Sequence, residues 1–94
     1  MRKLVWEASF KRAFKRQTHR RPALSEHIFE VLEQLSEKPF LPELRTHKLR
    51  GELDGLWACW VEYDCRIVFA FESDPENAED AIVLVDIGTH GEVY

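Results

Sequence analysis

The sequence predicts an α+β domain of order β-α-α-β-β-β, with two N-terminal helices packed on an antiparallel sheet. Three observations predict it. Two stretches with apolar residues at helical spacing occupy residues 10–37. Three strand-like apolar runs fill the C-terminal half, separated by turn residues. The length of 94 residues suits one core and one domain over 1–94, with no repeat or linker.

Leu4-Val5-Trp6, with Ala8, reads as a short first strand. Ser9 offers an N-cap for a helix over roughly residues 10–19. Phe10, Ala13 and Phe14 share one face of that helix, and Lys11, Arg12, Lys15 and Arg16 lie off it. Arg20-Arg21-Pro22 breaks the pattern. A second helix runs from about Leu24 to Glu37, with Leu24, Ile28, Val31, Leu32 and Leu35 as its core stripe. Two prolines, Pro39 and Pro42, end it. Residues 47–55 read as a loop with two glycines. Leu56–Glu62 and Cys65–Phe71 read as strands joined by a turn at Tyr63-Asp64. After the acidic loop around Pro75, residues 81–87 are nearly all apolar, which predicts a central strand covered on both faces.

Composition narrows the function classes. A hydrophobic fraction of 45% with three tryptophans suits a globular chain rather than a disordered one. No apolar run approaches the ~20 residues of a membrane span, and no apolar stretch of a signal peptide follows the charged N-terminus. Cys59 and Cys65 have neither metal-ligand nor CxxC spacing, so they read as reduced structural thiols in a cytoplasmic protein. Charge is unevenly spread. Residues 1–21 hold eight Lys/Arg against one acid, a local +7 that leaves −11 for the rest, given the net charge of −4. A basic pole on an acidic body can hold an anionic partner locally.

Polar residues just past the ends of buried strands are mounted rigidly and reached by solvent. Five such residues stand out: His47 before the strand at 56–62, Asp64 at the turn, Arg66 opening the next strand, and His90 and Tyr94 after the last one. Together they suit phosphodiester cleavage in RNA. One group takes the proton of a 2′-hydroxyl, a cation holds the charge growing on the phosphate, and an acid protonates the leaving 5′-oxygen. RNA carries its own nucleophile, so neither metal nor cofactor is required. Spacing alone does not show that these residues converge. His47 also fits a loop histidine, Asp64 a turn stabiliser, Arg66 a salt-bridge residue and Tyr94 a core ring. A His–His–Asp zinc site is a further alternative, without a close ligand pair to support it.

The segments HKLRGELDGLW at 47–57, VEYDCRIVFAF at 61–71 and VDIGTHGEVY at 85–94 resemble type II toxins of the RelE/ParE superfamily, and within it the YafQ-like mRNA interferases. The resemblance covers essentially the whole chain. It implies a toxin that cleaves mRNA on the ribosome and is silenced by a cognate antitoxin. It maps catalytic roles onto His47, Asp64 and His90, the terminal aromatic onto Tyr94, and a superfamily strand arginine onto Arg66. Lys11, Arg12, Lys15 and Arg16, with Lys48 and Arg50 in the glycine loop, are then the expected RNA contacts. The chain departs from the pattern in three ways. Trp60 stands where another histidine is frequent, Cys65 follows the aspartate where a tryptophan is expected, and the pI is about 5.5 where many relatives are basic. The competing readings are a non-catalytic ParE-like inhibitor of DNA gyrase, which His47 and His90 argue against, and a decayed toxin that only binds its antitoxin.

Overall fold

The computed structural model describes residues 1–94. The chain runs β1 (Leu4–Trp6), α1 (Ala8–Arg20), α2 (Leu24–Glu37), β2 (His47–Lys48), β3 (Trp57–Glu62), β4 (Cys65–Glu72), β5 (Ala81–Gly88) and α3 (His90–Val93), with 3-10 turns at Pro42–Leu44 and Gly51–Leu53. The expected α+β arrangement holds, and three details differ.

First, the five-stranded sheet, ordered β1-β5-β4-β3-β2, is mixed. β1 runs parallel to β5, pairing Leu4 with Ile82 and Trp6 with Leu84, while the other pairs are antiparallel. A three-residue strand carries no pattern that names its partner or direction. Its direction follows from α1, which starts two residues later and packs along β5. Second, α1 begins at Ala8 behind Glu7, so Ser9 is not the cap. The Ser9 hydroxyl donates instead to the Val85 carbonyl at 2.6 Å, fastening helix to strand. Third, the 47–55 segment is partly a strand. His47 pairs with Ala58 and Lys48 with Trp57. Gly51 (φ 69°) and Gly55 (φ 93°) then turn the chain through backbone that glycine adopts without penalty.

The sheet separates two apolar layers. On one face α1 and α2 bury Phe10, Ala13, Ile28, Leu32 and Leu35 against Cys59, Ile67, Phe69, Leu84 and Ile87. Each fully buried large side chain of this kind contributes roughly 1.5–3 kcal/mol. Exposed ion pairs contribute about 0–1 kcal/mol each. The core therefore sets stability, and the ion pairs described below set position. On the other face a smaller cluster joins Leu49, Ala58 and Val68 with Val93 of α3, and Val85 and Tyr94 pack on it. Opposite residues of antiparallel strands share a face, so the Ala58–Val68 and Trp60–Arg66 pairings put Trp60 and Arg66 on this second face. A bulge at Val61, where the register steps from Trp60–Arg66 to Glu62–Cys65, bends the hairpin end beside them.

The turn α3 holds the end of the chain. Thr89 and Glu92 form a capping box: Thr89 N–H donates to Glu92 Oε1 at 2.9 Å and Glu92 N–H to Thr89 Oγ1 at 3.3 Å. From α1, Gln17 Nε2 donates to Glu92 Oε1 at 3.2 Å and Arg20 Nη2 to Oε2 at 3.1 Å. Gly88 makes room, since a Cβ there would lie 3.1 Å from Glu92 Oε1 and 3.3 Å from Val93 Cγ1. The Thr89 backbone bond, then Arg20, lower the Glu92 pKa from its ordinary 4.5 to about 2. A carboxyl whose pKa is lower folded than unfolded stabilises fully above its unfolded value and loses that contribution as pH falls through the folded one. The docking of α3 should therefore persist to about pH 4.5 and be released between there and about pH 2. The Tyr94 ring resonances followed by NMR across that range should shift accordingly, and Glu92→Ala, which removes the acceptor, should shift them already at neutral pH.

Candidate active site

The β3–β4 turn and the start of α3 enclose an open cleft of about 390 Å³, lined by Tyr63, Asp64, Arg66, Thr89, His90 and Gly91. The pairing of Arg66 with Gly88 brings these two segments together from positions more than twenty apart in sequence. Three of the five expected site residues, Asp64, Arg66 and His90, thus line one cavity. His47 and Tyr94 do not line it but adjoin it. The Tyr94 ring meets His90 edge-on, centroids 4.6 Å apart, and meets His47 at 6.3 Å. Tyr94 caps the C-terminus of α3 four residues after His90, so the two side chains lie on the same side.

Arg66 is 7% exposed, yet no carboxylate pairs with it. Its Nη1 donates to the Glu62 carbonyl at 2.9 Å and to the Tyr63 carbonyl, and its guanidinium lies 4.0 Å over the Trp60 ring. Its Nε is buried with no partner. Neutral carbonyls and a ring face hold the fork in place while leaving its charge uncompensated. A buried unpaired charge is costly. A cation held so at a cleft suits an anion that completes it.

His47 is oriented by a different device. Its Nδ1 lies 2.8 Å from the Arg45 carbonyl. A carbonyl only accepts, so Nδ1 is the donor here, and in the neutral ring Nε2 is then the acceptor nitrogen. Arg45 makes this possible by adopting left-handed backbone, φ 50°, after the 3-10 turn, a strained choice for a residue with a Cβ. Its guanidinium rests 4.1 Å over Trp60.

Asp64 is engaged from behind. Arg21 Nη1 donates to Asp64 Oδ1 at 3.3 Å and its Nη2 to Glu62 Oε1, while His27 Nδ1 lies 3.8 Å from Glu62 Oε2. These groups are half-exposed, so the network positions Asp64 more than it stabilises the fold. Sequence reasoning missed Arg21, Glu62 and Arg45 as parts of the site, and met Trp60 only as a departure from the family pattern. No spacing signal connects 21 with 62–64 or 45 with 60. It also missed α3, although Thr89-x-x-Glu92 is a legible capping signature.

The basic pole is smaller than its composition. Arg20 pairs with Glu92, Arg21 with Glu62 and Asp64, and Arg2 with Glu79. Lys11, Arg12, Lys15 and Arg16 remain exposed along α1 without such partners. Of the loop cations, Arg50 is exposed. Lys48 stands 5.5 Å over Trp57 in a separate groove with Arg2, Phe40 and Phe71.

The chain is similar to the crystal structure of YafQ from E. coli strain BL21(DE3), at 14% identity and TM-score 0.78, covering 100% of this chain and 99% of that one. It is similar to a YoeB/ParE toxin from Agrobacterium tumefaciens, at 19% identity and TM-score 0.75, covering 94% and 98%. It is also similar to a chain of the E. coli DinJ-YafQ toxin-antitoxin complex, at 15% identity and TM-score 0.75, covering 99% and 97%. At these identities the likeness speaks for the fold. A comparison with curated protein sequences finds no match. Residues 2–94 match the family described as "Bacterial toxin of type II toxin-antitoxin system, YafQ", and the chain belongs to that family. No helix is long and apolar enough to cross a membrane.

Cys65 adjoins Asp64 but is no nucleophile. Burial pushes its thiol up to about 11, and Cys59 up to about 12. Both are free. At pH 8 the native protein should leave both thiols unreactive toward a disulfide reagent over minutes, and denaturant should release two equivalents. A rapidly labelled thiol in the native protein would place a thiolate at the cleft.

Proposed function

We propose that this toxin is an endoribonuclease that cleaves mRNA by attack of the RNA's own 2′-hydroxyl. The observation that carries the reading is Arg66: a nearly buried guanidinium without an acidic partner, held by carbonyls and Trp60 in the cleft that also contains Asp64 and His90. A phosphodiester seated there supplies the missing negative charge. His47, with Nε2 as acceptor, takes the 2′-hydroxyl proton, and the 2′-oxygen bonds to phosphorus. Charge building on the non-bridging oxygens is held by Arg66. The bond to the 5′-oxygen breaks, and protonated His90 gives that oxygen its proton. The products are a 2′,3′-cyclic phosphate and a 5′-hydroxyl. Asp64, held by Arg21, orients the catalytic groups, and Tyr94 keeps the two imidazoles in place through its ring contacts.

The exposed cations of α1, with Arg50 and Lys48, supply phosphate contacts outside the cleft. An acidic body is then no obstacle to RNA, because the exposed cations of α1 are locally concentrated. The ribosome is the proposed place of cleavage. A cognate antitoxin is the proposed inhibitor. The E. coli YafQ relative is solved with DinJ, and a YoeB relative from Staphylococcus aureus with YefM.

His90→Ala should abolish mRNA cleavage, mapped by primer extension on translating ribosomes, with a thermal midpoint close to wild type. His90 is exposed, and surface changes typically shift stability by about 0.5 kcal/mol or less. Loss of a general acid costs roughly a hundredfold or more. Full cleavage by folded His90→Ala removes the histidine from the reaction.

Arg66→Lys keeps the charge but loses the planar fork that meets the two carbonyls and the Trp60 face. It should cleave far more slowly than wild type, near the rate of Arg66→Ala. Equal cleavage by wild type and Arg66→Ala makes the arginine structural.

Reversing Lys11 and Lys15 to Glu should weaken ribosome association and flatten its salt dependence, because each phosphate contact adds to the slope. Pelleting with ribosomes across a salt series measures this. An unchanged slope confines these cations to solubility.

A further inference from the structure

Tyr63 has no structural reason to be a tyrosine. It sits at the β3–β4 turn and is 81% exposed, more than any other exposed large apolar side chain of the chain. It also lines the cleft, beside Asp64, Arg66 and His90. Turn geometry does not select it: neither Tyr63 nor Asp64 has positive φ, and turns of this kind favour small polar residues. Its ring meets Trp60 at right angles, centroids 6.0 Å apart at 86°, and its exposure leaves ring surface open to solvent. Trp60 already carries the guanidinium groups of Arg45 and Arg66. Tyr63 is therefore the ring of this cluster with a free face. Its backbone is fixed, because the Tyr63 carbonyl accepts from Arg66 Nη1.

We propose that Tyr63 is a stacking platform for an unpaired RNA nucleobase next to the phosphate held at Arg66. Single-stranded RNA is gripped by bases splayed onto aromatic faces, an interaction that is tolerant of sequence and that alanine substitution weakens several-fold to a hundredfold. An open ring mounted on the arginine that grips the phosphate meets that need. The base and its phosphate are then located by one rigid unit, Tyr63–Arg66–Trp60. The inference rests on RNA being the substrate. It adds a subsite that selects unstacked bases over duplex.

The test separates this subsite from the cleavage reading. In a His90→Ala background the RNA stays intact. A short single-stranded RNA carrying 2-aminopurine should bind with quenched fluorescence, since stacking quenches that base. Tyr63→Ala in the same background should weaken binding about tenfold and remove the quench. Tyr63→Phe should restore both, because the ring and not the hydroxyl is used. The ring's exposure predicts unchanged thermal midpoints for all three. Absent quenching, or equal binding and quenching by the Tyr63→Ala protein, overturns the proposal, even where the His90 protein still cleaves. Loss of antitoxin copurification on Tyr63→Ala with RNA binding unchanged also overturns it and assigns the ring to a protein contact. Tyr63-dependent quenching by a protein whose His90 form cleaves nothing upholds the subsite and sinks the nuclease reading alone.

Discussion

Strand β5 hydrogen-bonds along both edges, to the start of the chain through β1 and to β4 on the other side, and the cleft depends on that double pairing. The strand is buried along most of its length, with Ile82, Leu84 and Ile87 against the helices. Its end at Gly88 is fixed opposite Arg66. The next six residues carry His90, Glu92 and Tyr94. A residue mounted on such a strand inherits the rigidity of the core. The N-terminal helix reinforces the mount through Ser9 on the Val85 carbonyl and through Gln17 and Arg20 on Glu92. Each of these contacts is modest, about 1 kcal/mol for a neutral hydrogen bond and somewhat more for a charged one. Their value is directional: they fix where α3 lies.

The cleft itself uses charge in two opposite ways. Arg21 and Arg20 are neutralised by carboxylates and hold parts together. Arg66 is buried without one and is available. What distinguishes the two is the partner and not the residue type. The departures from the family pattern fall into place here. Trp60 takes the guanidinium groups of both Arg45 and Arg66, so a residue unlike the family's frequent histidine serves to hold the cleft's cation. Cys65 turns to the helix-side core, which keeps its thiol neutral.

The helices and long strands were legible because their signals are periodic. Leu24, Ile28, Val31, Leu32 and Leu35 fall on one face of a helix, and the apolar run at 81–87, bounded by turn residues, fits a strand covered on both sides. Asp64, Arg66 and His90 were legible as candidates because each lies at a strand end. What was not legible was pairing at a distance. The parallel direction of β1, the two-residue strand at His47–Lys48 and the Arg21–Asp64 bond each join segments with no shared pattern.

The sequence by itself determined the secondary elements, the polarity of each helix face, the resemblance to a toxin family and the residue types able to move a proton or hold a phosphate. Local periodicity and side-chain chemistry are properties of neighbouring residues, so a sequence can carry them. The tertiary structure decided which of those residues meet. It placed Asp64, Arg66 and His90 on one cleft and set His47 and Tyr94 at its margin. It consumed Arg20 and Arg21 in ion pairs and left Arg66 unpaired. Whether a charge is compensated depends on what folds against it, and that is fixed by strand register and helix docking rather than by the residue's neighbours in the chain.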